Sequence, residues 1–190
     1  MIKIKDKKKY IIIVLTLIVV ITAFKIVSLY LKRQSLEKVS VATVSYLSVT
    51  SNRRKNIDEA ARLNSGSYTN TCVYFASGAL RAAGLDVPKS VANTTQLTEF
   101  LQKEGYKKYY DLGKLKPGDI CFAAPSGNIN ETPDHTYIFK KWTDSSHKDA
   151  YIFDNQLTEY GSCYHVRNIT YKTVRNGKSK SQAIYFMRAK

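Results

Sequence analysis

Cysteine is scarce in this chain: three in 190 residues, at positions 72, 121 and 163. None belongs to a CxxC pair or to a Cys/His cluster with metal-ligand spacing, so no zinc site, and no metal or cofactor of any kind, is expected. The odd number leaves at least one thiol free. Cys121 and Cys163 are the conceivable disulfide partners, but buried unpaired thiols are the simpler reading. Histidine is equally sparse, at 135, 147 and 165, and there is a single tryptophan against 14 tyrosines. Internal repeats are absent. Acidic residues number 15 against 30 Lys+Arg, a net charge of +15. That imbalance is local: residues 1–55 hold 12 basic and 2 acidic side chains, whereas the remainder holds 18 and 13. A nucleic-acid binder would carry its basic stripe on the folded domain, so no nucleic-acid partner is expected. A basic N-terminal region fits attraction to anionic membrane or wall polymers instead.

With 44% hydrophobic and 24% charged residues, the composition is that of a globular domain, here with an appendage. The appendage comes first. Residues 1–9 carry five lysines and read as a cytoplasmic basic tail. Residues 10–31 are apolar apart from Lys25, and Ile11 to Phe24 is a run of 14 uncharged residues. Spanning a bilayer takes roughly 20 residues, which this stretch just supplies. Lys25 lies close enough to one end to snorkel, and Tyr10 and Tyr30 sit where interfacial aromatics belong. The rival reading is a cleaved signal peptide, but a small-residue cleavage site soon after Phe24 is missing. The preceding lysines favour an inside N-terminus. The expected protein is therefore single-pass in the cell membrane, with its folded domain outside. Residues 32–55, polar and mixed, read as a flexible stalk, and 56–190 as the domain.

Within 56–190 helical signals precede strand signals. Residues 56–63 suggest a short helix with acids in its first turn, after which 64–70 is rich in turn formers. Over 71–83, Cys72, Phe75, Ala76, Ala79, Leu80 and Ala83 share one face at 3–4 spacing. A third helix is expected over 94–104, capped by Asn93 or Thr94 and closed by Gly105. Strands follow at 108–112, 120–123, 135–139 and 150–154. Residues 163–175 and 183–188 flank Asn176-Gly177 and suggest a hairpin. The order predicts an α+β domain with helices packed on an antiparallel sheet.

Cysteine catalysis needs a thiolate, a base and a group that orients the base. Cys72 opens a helix, where unpaired backbone N–H groups favour a thiolate. Of the histidines, His147 sits in a polar run and reads as surface. His165 lies in a strand and is a reserve base, though a structural role suits it better. His135 begins an apolar strand straight after a flexible loop, a rigid yet reachable position. Asp154, Asn155 and Gln156 end the next strand, and alternation puts Asp154 and Gln156 on one face with Asn155 on the other. Asp154 is the first candidate for orienting the imidazole.

Four segments then follow a recognisable order: Cys72-Val73-Tyr74-Phe75 at a helix start, Leu115-Lys116-Pro117-Gly118-Asp119 running into Ile120-Cys121-Phe122, Asp134-His135-Thr136-Tyr137, and Tyr151-Ile152-Phe153-Asp154-Asn155-Gln156. In this the chain, over roughly residues 56–160, resembles the papain-like peptidoglycan hydrolases of the NlpC and CHAP type. The resemblance implies a papain-like fold, with Cys72 as nucleophile, His135 as base and Asp154, Asn155 or Gln156 as orienter. It also implies an enzyme cutting an amide bond in the peptide part of peptidoglycan, as endopeptidase or amidase. Family members often place Gln or Asp just before the cysteine, where this chain has Thr71, so Asn70 is the candidate oxyanion donor. They often have Gly or Ser before the histidine, where this chain has Asp134. The alternatives are a cysteine peptidase or acyltransferase acting on proteins, or a non-catalytic scaffold of the same fold.

Overall fold

The computed structural model describes residues 4–190, with side chains from Lys7 onward; Met1 to Lys3 of the basic tail lie outside the described residues. The chain divides after Leu36 into two units. Most of the first is helix α1, which begins at Ile4 and continues to Ser48. It is long and apolar enough to cross a membrane. The two threonines of its apolar stretch spend their hydroxyls on the helix itself, Thr16 on the Ile12 carbonyl and Thr22 on that of Ile18. Such back-bonding leaves no hydroxyl unsatisfied on an apolar surface.

The second unit, residues 37–190, starts well before the expected domain boundary at 56. Residues 32–55 are not a flexible stalk: α1 runs through 48 and α2 spans Thr50–Leu63. The reason is a buried stripe. Val39, Thr43, Val44 and Leu47 recur at helical spacing and are all buried, so the last turns of α1 belong to the core. Helix α2 accordingly begins six residues earlier than expected, without acids in its first turn. It is tied to α3 (Cys72–Ala82) through Asn56, whose Nδ2 donates to the Phe75 carbonyl at 2.8 Å. Gly78 makes room for that side chain, since a Cβ there would stand 2.5 Å from Asn56 Oδ1. Helix α4 spans Thr94–Glu104; Asn93 caps it by accepting from the Gln96 N–H at 2.9 Å, and Gly105 closes it at φ 102°.

A six-stranded antiparallel sheet follows, in the order β1 (Tyr106–Tyr109), β8 (Gln182–Ala189), β2 (Ile120–Ala124), β3 (His135–Trp142), β4 (Asp149–Phe153), β5 (Tyr164–Asn168). Helix α3 packs along β3 and α4 against β1. The expected hairpin between 163–175 and 183–188 does not form. Instead β6 (Thr173–Arg175) and β7 (Lys178–Lys180) make a small separate ribbon around Asn176-Gly177, both at positive φ. Strand β8 inserts between β1 and β2. Residues 183–187 are all buried, and an unbroken apolar run is what a strand covered on both faces requires.

The turn at 115–119 fixes where β2 and α1 meet. Lys116 N–H donates to Asp119 Oδ2 at 2.6 Å, and Gly118 N–H to the Phe139 carbonyl at 2.9 Å. Asp119 is buried and held by a two-pronged contact from Arg188. Gly118 has φ 90°, and a Cβ on it would meet the Ser40 carbonyl oxygen at 2.6 Å. Glycine is thus required twice over, for the backbone angle and for the approach of α1.

Candidate active site

Three elements bring the chemistry together: the start of α3, the start of β3 and the segment leaving β4. The loop before α3 is built from left-handed residues, Ser65 at φ 54°, Gly66 at 83° and Asn70 at 57°. Asn64 braces it by donating to the Thr69 carbonyl at 2.8 Å. Thr71 occupies the cap position, yet its hydroxyl donates back to the Tyr68 carbonyl, so no side chain caps the helix. The first intrahelical bond of this turn is Phe75 N–H to the Thr71 carbonyl, 2.8 Å. Ahead of it, the N–H groups of Cys72, Val73 and Tyr74 have no helical acceptor. They concentrate partial positive charge beside the Cys72 sulfur.

His135 is fixed by its neighbours. It pairs with Ala123 across the sheet. Asp134, immediately before it, donates its N–H to the Ala123 carbonyl at 3.0 Å and accepts from the Ser181 hydroxyl at 2.9 Å. The Cys72 side chain adjoins the His135 ring and favours its protonated form. On the other side of that ring, Nε2 lies 2.9 Å from Asp154 Oδ2. An ionised carboxylate only accepts, so Nε2 carries the proton and Nδ1 is left as the basic atom. Asp154 is fully buried, anchored through its own N–H to the Cys163 carbonyl at 3.0 Å. Its second oxygen, Oδ1, accepts from the Gln156 backbone N–H at 2.8 Å.

These contacts set the charges. Burial is the largest influence on His135 and pushes it down, but the bonds to Asp154 and Cys72 outweigh it and hold the ring up at about 9. Burial likewise pushes Asp154 up, while His165, His135 and Arg167 hold the carboxyl down at about 2. The pair is therefore imidazolium and carboxylate at neutral pH. Access is narrow: Cys72 is 8% exposed and the His135 side chain 12%.

The remaining candidates separate. Gln156 reaches the carboxylate through its backbone rather than its side chain, whose Oε1 accepts from Arg167 at 3.4 Å. Asn155 is half-buried, with Oδ1 enclosed and lacking a hydrogen-bond partner. Asn70 is exposed, and among the described residues no hydrogen bond links it to Cys72, His135 or Asp154. The oxyanion donors available are instead the backbone N–H groups of the first turn of α3. His147 is exposed and stacks on Trp142 at 5.0 Å. All three cysteines are free; burial pushes the thiol of Cys121 well up and that of Cys163 to about 12, so neither competes as a nucleophile.

Arg167 belongs to none of the sequence motifs, and His165 reads there as a structural histidine or a reserve base. Both lie on the face of β5 that carries the site. The pairings Phe139↔Ile152 and Ile152↔His165, with alternation along β3 and β5, put His135, His165 and Arg167 on one face. The available signal was the two-residue spacing of His165 and Arg167. A cleft of about 420 Å³ lies elsewhere, lined by Glu99, Lys108, Tyr110, Glu131 and Tyr185 among others, and shares with the site only the loop that leads into His135. Among the described residues no group of acidic, His and Cys side chains could hold a metal ion. Comparison with family profiles, with characterised proteins and with solved structures gives no match for this chain.

Proposed function

We propose that this protein is a cysteine hydrolase of papain-like type that cleaves an amide bond in the peptide part of peptidoglycan. The observation that carries the reading is the chain of contacts from Cys72 at an uncapped helix start, through the buried His135 ring, to the buried Asp154 carboxylate. A thiol, an imidazole and a carboxylate in that order are the parts of an activated nucleophile. The peptidoglycan substrate rests on the resemblance of the four sequence segments to the NlpC and CHAP hydrolases.

In the proposed reaction His135 already carries its second proton on Nδ1, and Cys72 attacks the substrate carbonyl as the thiolate. The developing oxyanion is met by N–H groups of the first turn of α3. His135 then gives its proton to the leaving amine, the C–N bond breaks, and a thioester remains on Cys72. Water attacks the thioester, His135 takes its proton, the C–S bond breaks, and the acid is released with the thiolate beside the imidazolium restored. Asp154 keeps Nε2 protonated throughout and so fixes the tautomer.

The apolar stretch of α1 and the five lysines that precede that stretch in sequence support a single-pass anchor with the domain outside the cell membrane. Incubating the full chain with purified peptidoglycan and analysing the products by mass spectrometry tests the proposal. New peptide termini, each reflecting the addition of one water, are expected from the wild type and not from Cys72→Ala. Intact wall in both reactions would overturn it.

A further inference from the structure

The carboxylate that holds His135 has a second imidazole on its other side. His165 Nε2 lies 3.7 Å from Asp154 Oδ1, beyond hydrogen-bond range, and has no hydrogen-bond partner although it is buried. The opposite nitrogen, Nδ1, is 3.0 Å from the Ser162 carbonyl oxygen. A carbonyl can only accept, so Nδ1 carries a proton in every ionisation state and Nε2 is the atom that titrates. The ring cannot turn away, because it lies flat on Tyr160 with centroids 3.7 Å apart and planes 9° from parallel. An imidazole is thus fixed with its one variable proton facing the carboxylate oxygen that His135 does not use.

We propose that His165 is a positioning residue, acting on His135 through the far oxygen of Asp154, with the proton on Nε2 deciding how firmly that carboxylate grips the base. With Nε2 bare, the negative charge of Asp154 serves His135. With Nε2 protonated, the carboxylate is shared between two cations, and its hold on the His135 Nε2–H, which fixes the ring beside Cys72, is weakened. The bare form is the resting one at neutral pH. Burial, the largest influence, pushes His165 down; Arg167 and His135 push the same way, against Asp154 and the Ser162 carbonyl. The other charged groups around it act across Tyr160: Arg175 stands 5.0 Å and Lys180 5.8 Å from that ring, with Glu159 held between Lys178 and Lys180. The site would therefore carry a built-in acid brake, engaged as pH falls below the ordinary histidine range.

This inference rests on His135 being the base of Cys72, and the test separates the two. The rate at which iodoacetamide alkylates Cys72 is followed from pH 4 to 9 on the full chain in detergent, with peptide mass spectrometry to resolve Cys72 from Cys121 and Cys163. The wild type should lose reactivity on the acid side in two steps. His165→Gln should lack the first step, match the wild type at pH 8 and exceed it by about tenfold once pH has fallen below the His165 titration. A residue with a merely structural role would shift the rates alike at every pH. Superimposable wild-type and His165→Gln profiles would overturn the inference, while a His135→Ala profile equal to that of the wild type would overturn the base assignment beneath it. Should His165→Gln not fold, the histidine NMR titration of the wild type decides. A His135 resonance that moves in step with His165 supports the coupling, and independent titrations refute it.

Discussion

Replacing Asp154 by Asn isolates the charge at the heart of the site. The amide is isosteric, and its single oxygen can satisfy either His135 Nε2 or the Gln156 N–H, not both. Losing one of those two hydrogen bonds is a cost that does not vary with pH; losing the charge is a cost that does. His135 is displaced from its ordinary 6.5 to about 9, which corresponds to about 3 kcal/mol of stability. Asp154 is displaced from 3.8 to about 2, or about 2.5 kcal/mol, which His165, His135 and Arg167 share, so the His135 part is already counted and the two figures are not added. The signs follow from the directions. A raised histidine contributes fully below 6.5 and loses its contribution as pH rises through about 9. A lowered carboxylate contributes above 3.8 and loses its contribution as pH falls through about 2. The wild type therefore enjoys the full pair from about pH 4 to 6.5. Urea unfolding of the full chain in detergent should show a wild-type advantage over Asp154→Asn that is larger by about 3 kcal/mol at pH 6 than at pH 10. An advantage that stays constant across that range would mean that His135 is neutral in the folded protein, and the ion-pair account would be wrong.

Two further substitutions probe how the site is held. Gln156→Ala should leave Cys72 alkylation close to the wild-type rate, because the Asp154 contact comes from the backbone N–H; Gln156→Pro deletes that donor and should slow alkylation by about tenfold or more. Equal effects of the two would show that the side chain matters instead. Gly118→Ala should destabilise the domain by at least about 2 kcal/mol in thermal or urea unfolding, given its positive φ and the Ser40 carbonyl 2.6 Å away. An unchanged midpoint would mean that α1 does not approach this turn.

Some of this architecture is visible in the primary structure because the forces that create it are local. Asn93 and Gly105 bound α4 through capping and left-handed φ, and the short apolar runs at 120–123 and 150–153 mark buried strands. His135 and Asp154 lie at a strand start and just past a strand end, positions that short apolar runs delimit well. What escaped notice depends on partners far away in sequence. Val39, Thr43 and Leu47 hold α1 in the core, yet between Lys38, Ser40 and Ser48 they resemble a polar linker until the turn at Gly118 is seen against them. The pairing of β8 with β1 and β2, rather than with the strand preceding it, is a matter of long-range register that turn residues cannot encode. Asn70 stands in as oxyanion donor only because Thr71 occupies the position where the NlpC and CHAP hydrolases often have Asp or Gln, and it is exposed at a left-handed φ. The role of the Gln156 backbone and the approach of His165 to Asp154 exist only once β4 and β5 are paired.

The central claim is that Cys72 becomes covalently acylated during turnover. Reacting the full chain with a soluble peptide fragment of peptidoglycan, quenching in acid within the first turnovers and measuring the intact mass tests it directly. The account predicts a transient species heavier by the acyl part of the peptide, mapped by proteolysis to Cys72, and absent in Cys72→Ala. Hydrolysis that proceeds with no adduct on Cys72, or equally well in Cys72→Ala, would contradict it.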